Sequence, residues 1–252
     1  MRTPPDRLTA AAARLTEELA ALGSAERAEW DRTYLRSELG HLGVPVPALR
    51  TAVTAARRSL APLSRQDTLA LAALLWPDGV HDHRLAAVEL LCQGADKLTP
   101  ADLALVGRLV RESRTWALVD PLAVHAAGRI VLADPAACGP VLDGWAADQD
   151  FWIRRAALLA LLPGIRTGSP DLERLDRYAD ALLEDREFFI RKATGWVLRE
   201  ISRSDPAFVR AWVEPRLTRI SGVTLREAVR RLPEADRTAL TEAYRRRPTA
   251  GH

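Results

Sequence analysis

Asp150-Phe151-Trp152-Ile153-Arg154-Arg155-Ala156-Ala157-Leu158 returns 37 positions later as Glu187-Phe188-Phe189-Ile190-Arg191-Lys192-Ala193-Thr194-Gly195-Trp196. In both phrases an acidic residue precedes two aromatics, an Ile, two cations and an Ala. Self-similarity at this period is the mark of stacked helical repeats, in which each unit buries its apolar face only against its neighbours. Backwards along the chain, Arg84-Leu85-Ala86-Ala87-Val88 lies 70 positions before Arg154, and Val119-Asp120-Pro121-Leu122-Ala123 falls halfway between them. The register therefore runs Arg84, Val119/Asp120, Arg154/Arg155, Arg191/Lys192.

The segments between repeats read as amphipathic helices. Leu8–Leu22 carries apolar residues at helical spacing. Breakers such as Gly43-Val44-Pro45, Pro77-Asp78-Gly79, Gly139-Pro140 and Gly168-Ser169-Pro170 then arrive at ordinary helix lengths. Alternating Val/Ile/Tyr runs that would signal strands are missing, so the expected class is all-α. The pattern resembles HEAT-type repeats, each an antiparallel helix pair. That implies an α-solenoid with a concave basic groove, carrying Arg84, Asp120, Arg155 and Lys192 on its inner face. A single domain is expected over residues 1–244. Leu217–Tyr244 forms a last helix pair bearing Arg226, Arg230 and Arg231, and residues 245–252 form a disordered basic tail.

Composition narrows the chemistry. The 252 residues carry 36 Lys plus Arg against 33 Asp plus Glu, a formal excess of +3, and only Lys97 and Lys192 are lysines. Arg suits forked phosphate contacts. Cys92 and Cys138 sit in apolar helical patterns and make neither a disulfide framework nor a zinc site. The opening Met1-Arg2-Thr3-Pro4-Pro5 lacks a signal core, and no run is expected to span a bilayer. The expected location is the reducing cytoplasm. His81-Asp82-His83 splays its side chains at i,i+2 spacing with no evident third ligand, so no metal and no cofactor are expected. Lys192 belongs to the cation register, which favours phosphate contact over a Schiff-base role.

Trp116 and Asp120 stand at i,i+4, one helical face if the helix is continuous. Alternatively, Asp120 before Pro121 reads as an N-cap with proline at the first helical position, leaving Trp116 to the core. Of the other tryptophans, Trp30, Trp76, Trp145 and Trp152 are expected mainly in packing. Trp196 follows Gly195, which either clears space for an exposed indole or admits a packed neighbour.

Several phrases in order resemble the AlkD-type DNA alkylation-repair glycosylases. They are Tyr34-Leu35-Arg36 with Leu42-Gly43-Val44-Pro45, then Leu75-Trp76 with His81-Asp82-His83-Arg84, then Trp116-Ala117-Leu118-Val119-Asp120, and finally the two repeated phrases, the second extended through Val197-Leu198-Arg199-Glu200. The resemblance covers roughly residues 30–232. The chain departs from the family pattern at Asp82, where Glu is more usual, and at the polar Thr194. The resemblance implies hydrolysis of the N-glycosidic bond of cationic N3- and N7-alkylpurines in double-stranded DNA without extrusion of the base by a monofunctional enzyme, which makes bulky adducts conceivable substrates; a monomer is expected. It further implies Asp120 as catalytic carboxylate and Trp116 and Trp196 as aromatics against the lesion deoxyribose. Arg155 is implied as a backbone-phosphate contact in preference to Arg154, with Tyr34 and Arg199 as further DNA contacts. Arg84, Arg191 and Lys192 join the DNA-binding set through the cation register. A catalytically silent binder of DNA structures and a HEAT scaffold for a protein partner are the competing readings.

Overall fold

The structure is a computed structural model that describes residues 4–247. The described residues form no strand, and one isolated bridge pairs Gly40 with Val80. The all-α expectation holds. The chain divides into two compact units between Ile130 and Val131. The first contains α1 Pro5–Leu22, α2 Ala25–Leu35, α3 Val46–Ser59, α4 Arg65–Leu75, α5 His81–Gln93, α6 Leu103–Ser113 and α7 Trp116–Pro121. The division falls inside α8, Gly128–Ala133. The second unit continues with α9 Pro135–Ala146, α10 Phe151–Leu159, α11 Leu162–Arg166, α12 Leu172–Ala181, α13 Phe188–Ile201, α14 Pro206–Val213, α15 Gly222–Ala228 and α16 Glu234–Arg246.

The helices start where short polar side chains meet orphan amides. Ser64 and Asp67 form a capping box at α4, and the Asp150 carboxylate accepts from the Trp152 amide at 2.8 Å to open α10. The acidic letter of the first repeated phrase is thus an N-cap. Glu187, its counterpart, makes no side-chain cap bond. In the first unit α4 packs on α5, and α1 on α3 and α4, around Leu15, Leu19, Leu49, Leu71, Leu75, Leu90 and Leu91. In the second, α13 packs on α15 and α10 around Leu158, Ile190, Val197 and Leu225. Each such side chain contributes about 1.5–3 kcal/mol of burial.

The repeat is visible as chemistry. Polar bonds recur between residues one period apart: Arg57 to Gln93 at 3.0 Å, Trp76 Nε1 to Glu112 at 2.5 Å and Lys97 Nζ to the Leu63 carbonyl at 2.6 Å in the first unit. In the second, Tyr178 donates to Asp143 at 2.5 Å, Trp212 Nε1 to Asp176 at 2.7 Å and Arg219 Nε to Glu184 at 2.6 Å. Equivalent helix positions stand beside each other, so long side chains at those positions latch one repeat to the next.

Two expectations are corrected. Arg245 and Arg246 belong to α16 rather than to a disordered tail. Arg246 pairs with Glu242 at i,i+4, and cations in a last turn face the negative end of the helix dipole. Residues 248–252 of that expected tail lie outside the described residues. One segment, Trp116–Ala133, does reach membrane-spanning length and composition, with mean hydropathy 1.3. Leu118, Val119, Leu122, Ala123, Ala126 and Ala127 are fully buried, so its apolarity serves the core.

At the start of α5, burial and the neighbouring His41 lower the His81 pKa to about 4. His81 is 6 % exposed, and its ring lies 4.6 Å from that of His41. The unfolded chain takes up a proton near pH 6.5 that the folded chain refuses. Stability is therefore full above pH 6.5 and falls as the pH drops towards 4, by up to about 3 kcal/mol from this group. Urea midpoints measured from pH 7.5 to 4.5 are expected to fall in the parent protein and to fall less steeply in His81→Gln. Parallel curves would remove His81 from the explanation.

Candidate nucleic-acid interface

The first cluster is built on α7. Its N-cap is Thr115, whose hydroxyl accepts from the Ala117 amide at 3.4 Å. Asp120 is therefore not a cap. It lies inside the helix, and the chain continues through Pro121 into a π-helical stretch, Leu122–Ala127. Pro121 has no N–H for the Ala117 carbonyl, and its ring crowds that oxygen. The helix continues regardless: the Leu122 amide reaches the Leu118 and Val119 carbonyls at ordinary spacing, and the turn then widens, the Gly128 amide reaching back five residues to Ala123. Wide turns of this kind are rare and frequently mark functional sites. Continuity puts Trp116 and the half-buried Asp120 on one face, one turn apart.

Tyr34 meets Trp116 edge-on, with ring centroids 6.0 Å apart and planes 83° apart. Trp30, one turn earlier on α2, stacks on Tyr34 at 4.8 Å and 13°. Both rings are 58 % exposed. Trp30 is not the packing residue the sequence suggested, whereas Trp76, Trp145 and Trp152 are buried as expected. A signal was available: Ala25–Leu35 has no apolar stripe and buries no residue, so a Trp within it has no core to enter.

α2 is seated by backbone approach. A Cβ on Gly23 would meet the Leu42 carbonyl oxygen at 2.3 Å, and one on Gly43, at φ +73°, would meet the Ser24 oxygen and Ala28 nitrogen at 2.4 Å. The loop that α2 rests on is pinned in turn by Asp82, whose carboxylate accepts from the Leu42 amide at 2.8 Å and the Val44 amide at 2.9 Å. Asp82 thus holds the loop under the aromatic helix.

The same loop supplies His41, a third group beside His81 and Asp82, with ligand atoms within 4.8 Å of one another. Both Asp82 oxygens already accept amides. The two imidazole planes lie 19° apart, so their in-plane lone pairs do not converge on one ion as placed. The trio fits a positioning role better than a metal centre.

The second cluster lies on α10, α13 and α15. Arg155 is 5 % exposed, donates to the Phe189 carbonyl at 2.5 Å and lies 5.8 Å over the Phe189 ring. Arg154 pairs with Asp185 at 2.8 Å and donates to the Asp148 and Gln149 carbonyls. Arg191 donates Nε to the Asp185 carbonyl at 2.9 Å. Lys192 pairs with Glu227 at 2.6 Å, and Arg199 binds the same carboxylate. Burial and the field of Arg199, Arg230, Arg155 and Arg226 hold the Lys192 ammonium below its usual pKa. This crowd of cations around Glu227 is a strongly positive patch, and Arg226 and Arg230 belong to it although the sequence register did not select them. In the first unit, Arg84 donates to the Trp76 and Glu112 carbonyls and covers the Trp76 ring at 5.0 Å. Arg84 and Arg154 thus latch elements within their units, each guanidinium donating to backbone carbonyls and Arg154 pairing with a carboxylate as well.

Trp196 is half-buried on α13. The glycine before it serves the packing alternative: a Cβ on Gly195 would sit 2.5 Å from Glu227 Cβ and 2.8 Å from the Thr224 carbonyl oxygen, so it admits α15. Thr194, the polar departure, donates back to the Ile190 carbonyl at 3.1 Å and is satisfied within its helix.

An all-helical repeat that presents indoles beside a carboxylate and carries a cationic patch belongs to the class of helical-repeat proteins equipped for a polyanion. Residues 15–232 match the family model described as DNA alkylation repair enzyme, and the chain belongs to that family. The fold is shared with a predicted DNA alkylation repair enzyme from Enterococcus faecalis, at 19% identity and TM-score 0.76 over 84% of this chain and 97% of that one. It is also shared with AlkD2 from Streptococcus mutans, at 20% identity and TM-score 0.57 over 75% and 90%. A third match is a Pseudomonas fluorescens alkylpurine DNA glycosylase, AlkC, bound to DNA containing an abasic-site analogue, at 16% identity and TM-score 0.53 over 94% and 66%. No functionally curated protein matched the chain by sequence.

Proposed function

We propose that this protein is a monofunctional DNA glycosylase that hydrolyses the N-glycosidic bond of cationic N3- and N7-alkylpurines in double-stranded DNA, with the base left in the stack. The observation that carries the reading is the uninterrupted turn from Trp116 to Asp120, edged by Tyr34. A cationic purine is already a good leaving group and needs no strong general acid. Bond breaking moves positive charge onto the sugar, which an indole face attracts by about 0.5–2 kcal/mol and a carboxylate stabilises further. Asp120 is assigned that carboxylate and the orientation of the attacking water. Trp116 and Trp196 are assigned the sugar contacts, Trp196 on the family resemblance.

The cations crowded around Glu227, Lys192, Arg199 and Arg155 among them, are assigned the DNA backbone, and Arg191 with them on the cation register. The AlkC structure, an alkylpurine DNA glycosylase bound to DNA containing an abasic-site analogue, supports this direction. The protein is proposed to act as a monomer without metal or cofactor. Duplex carrying N3-methyladenine or N7-methylguanine, incubated with the protein in the presence of EDTA, is expected to release the free methylated base. Salt-sensitive DNA binding without release would make it a silent binder instead.

A further inference from the structure

Trp30 is the largest exposed side chain that the proposed chemistry leaves unused. It sits on a helix that buries nothing, stacked 4.8 Å from Tyr34, which in turn meets Trp116 at 6.0 Å. The three rings make a continuous aromatic run that ends on Trp116, one helical turn before Asp120. The run is held firmly: Gly23 and Gly43 permit backbone contact under α2, Asp82 pins the loop beneath, and the Arg27–Asp31 and Arg32–Glu29 pairs brace the helix itself. A folded chain does not gain by holding an indole 58 % exposed on a helix without a core face. An exposed, pre-ordered ring stack is instead suited to receive another flat ring.

We propose that Trp30 is a specificity-determining residue, and that the Trp30–Tyr34 stack receives a planar aromatic group carried by the alkylated purine. The inference rests on the glycosylase reading of Trp116 and Asp120 and names the class of adduct that site accepts. If Trp116 lies against the lesion sugar, a methyl group on the base is too short to reach past Tyr34 to Trp30. An extended ring system reaches it.

The test uses three duplexes that differ only at one guanine: N7-methyl, N7-(cyclohexylmethyl) and N7-(1-pyrenylmethyl). Single-turnover base release and fluorescence-anisotropy affinity are measured for the parent protein, Trp30→Ala and Trp30→Phe. Because α2 buries no residue, Trp30→Ala is expected to keep the parent's melting temperature. It should lose about tenfold or more in release and affinity for the pyrenylmethyl duplex, with the methyl duplex unchanged and Trp30→Phe in between. The cyclohexylmethyl duplex, which adds apolar bulk beyond methyl without a π face, should be insensitive to the change. Equal losses on all three duplexes, or no loss on the pyrenylmethyl duplex, would overturn the assignment. Absence of methyl-base release by the parent protein would sink the glycosylase reading separately, while a Trp30-dependent preference in affinity would still report the aromatic contact.

Discussion

Asp120→Asn is expected to lower base release from N7-methylguanine duplex by about 10² to 10³ while leaving DNA affinity within about twofold. The substitution removes one charge and keeps shape, volume and an acceptor oxygen. Asp120 stands at the fifth position of α7 and does not cap the helix, Thr115 having that role, and Asn keeps the shape of the side chain. Loss of helix stability is therefore not the expected outcome, and the melting curve should stay close to the parent's. The effect falls on the transition state because only there does the sugar carry positive charge. A neutral amide supplies a dipole where the reaction requires a full negative charge, and in a site edged by Trp116 and Tyr34 the difference is weakly screened. Single-turnover release by the Asn variant at the parent's rate would remove Asp120 from the chemistry and leave Trp116 as a contact residue.

The period was legible because it is a packing constraint. Each helix pair must bury its face on the next, and side chains one period apart, such as Trp76 and Glu112 or Tyr178 and Asp143, end up bonded. Asp120 was ambiguous because an Asp-Pro pair satisfies the rules for a helix start as well as those for an interior kink. What decides is whether the backbone can widen after the proline, and the π stretch of Leu122–Ala127 is a property of the packed core, not of the dipeptide. The cation register was legible as charge but not as partner. Arg84 reaches the Trp76 and Glu112 carbonyls, and Arg154 reaches Asp185, through contacts of 28 and 31 residues' separation that no local pattern carries. Trp30 was misplaced for the opposite reason. Helical aromatics ordinarily pack, but the polar pattern of α2 denies Trp30 a core face.

Asp82→Ala is expected to lower stability by about 3 kcal/mol, the cost of stranding the Leu42 and Val44 amides that the carboxylate now satisfies. For a chain of this length that is a fall of about 10 °C in Tm. Asp82→Asn should lose nearly as much, since an amide offers one oxygen where two amide donors wait. The damage is also directional. The loop released, Leu42 to Val44, is the surface against which Gly23 and Gly43 seat α2, and α2 has no buried side chain to hold it otherwise. Hydrogen exchange should therefore accelerate through residues 25–35 well before it does in α4 or α13, and Tyr34 should lose its fixed edge contact with Trp116. Base release should fall with it, although Asp82 is not assigned to the reacting nucleotide. Restoring the folded population by cooling should recover stability without recovering the full rate, because a loosely seated α2 samples more positions at any temperature. A variant that melts within a degree of the parent, with α2 amides still protected, would show that α2 is held in place by something other than this carboxylate.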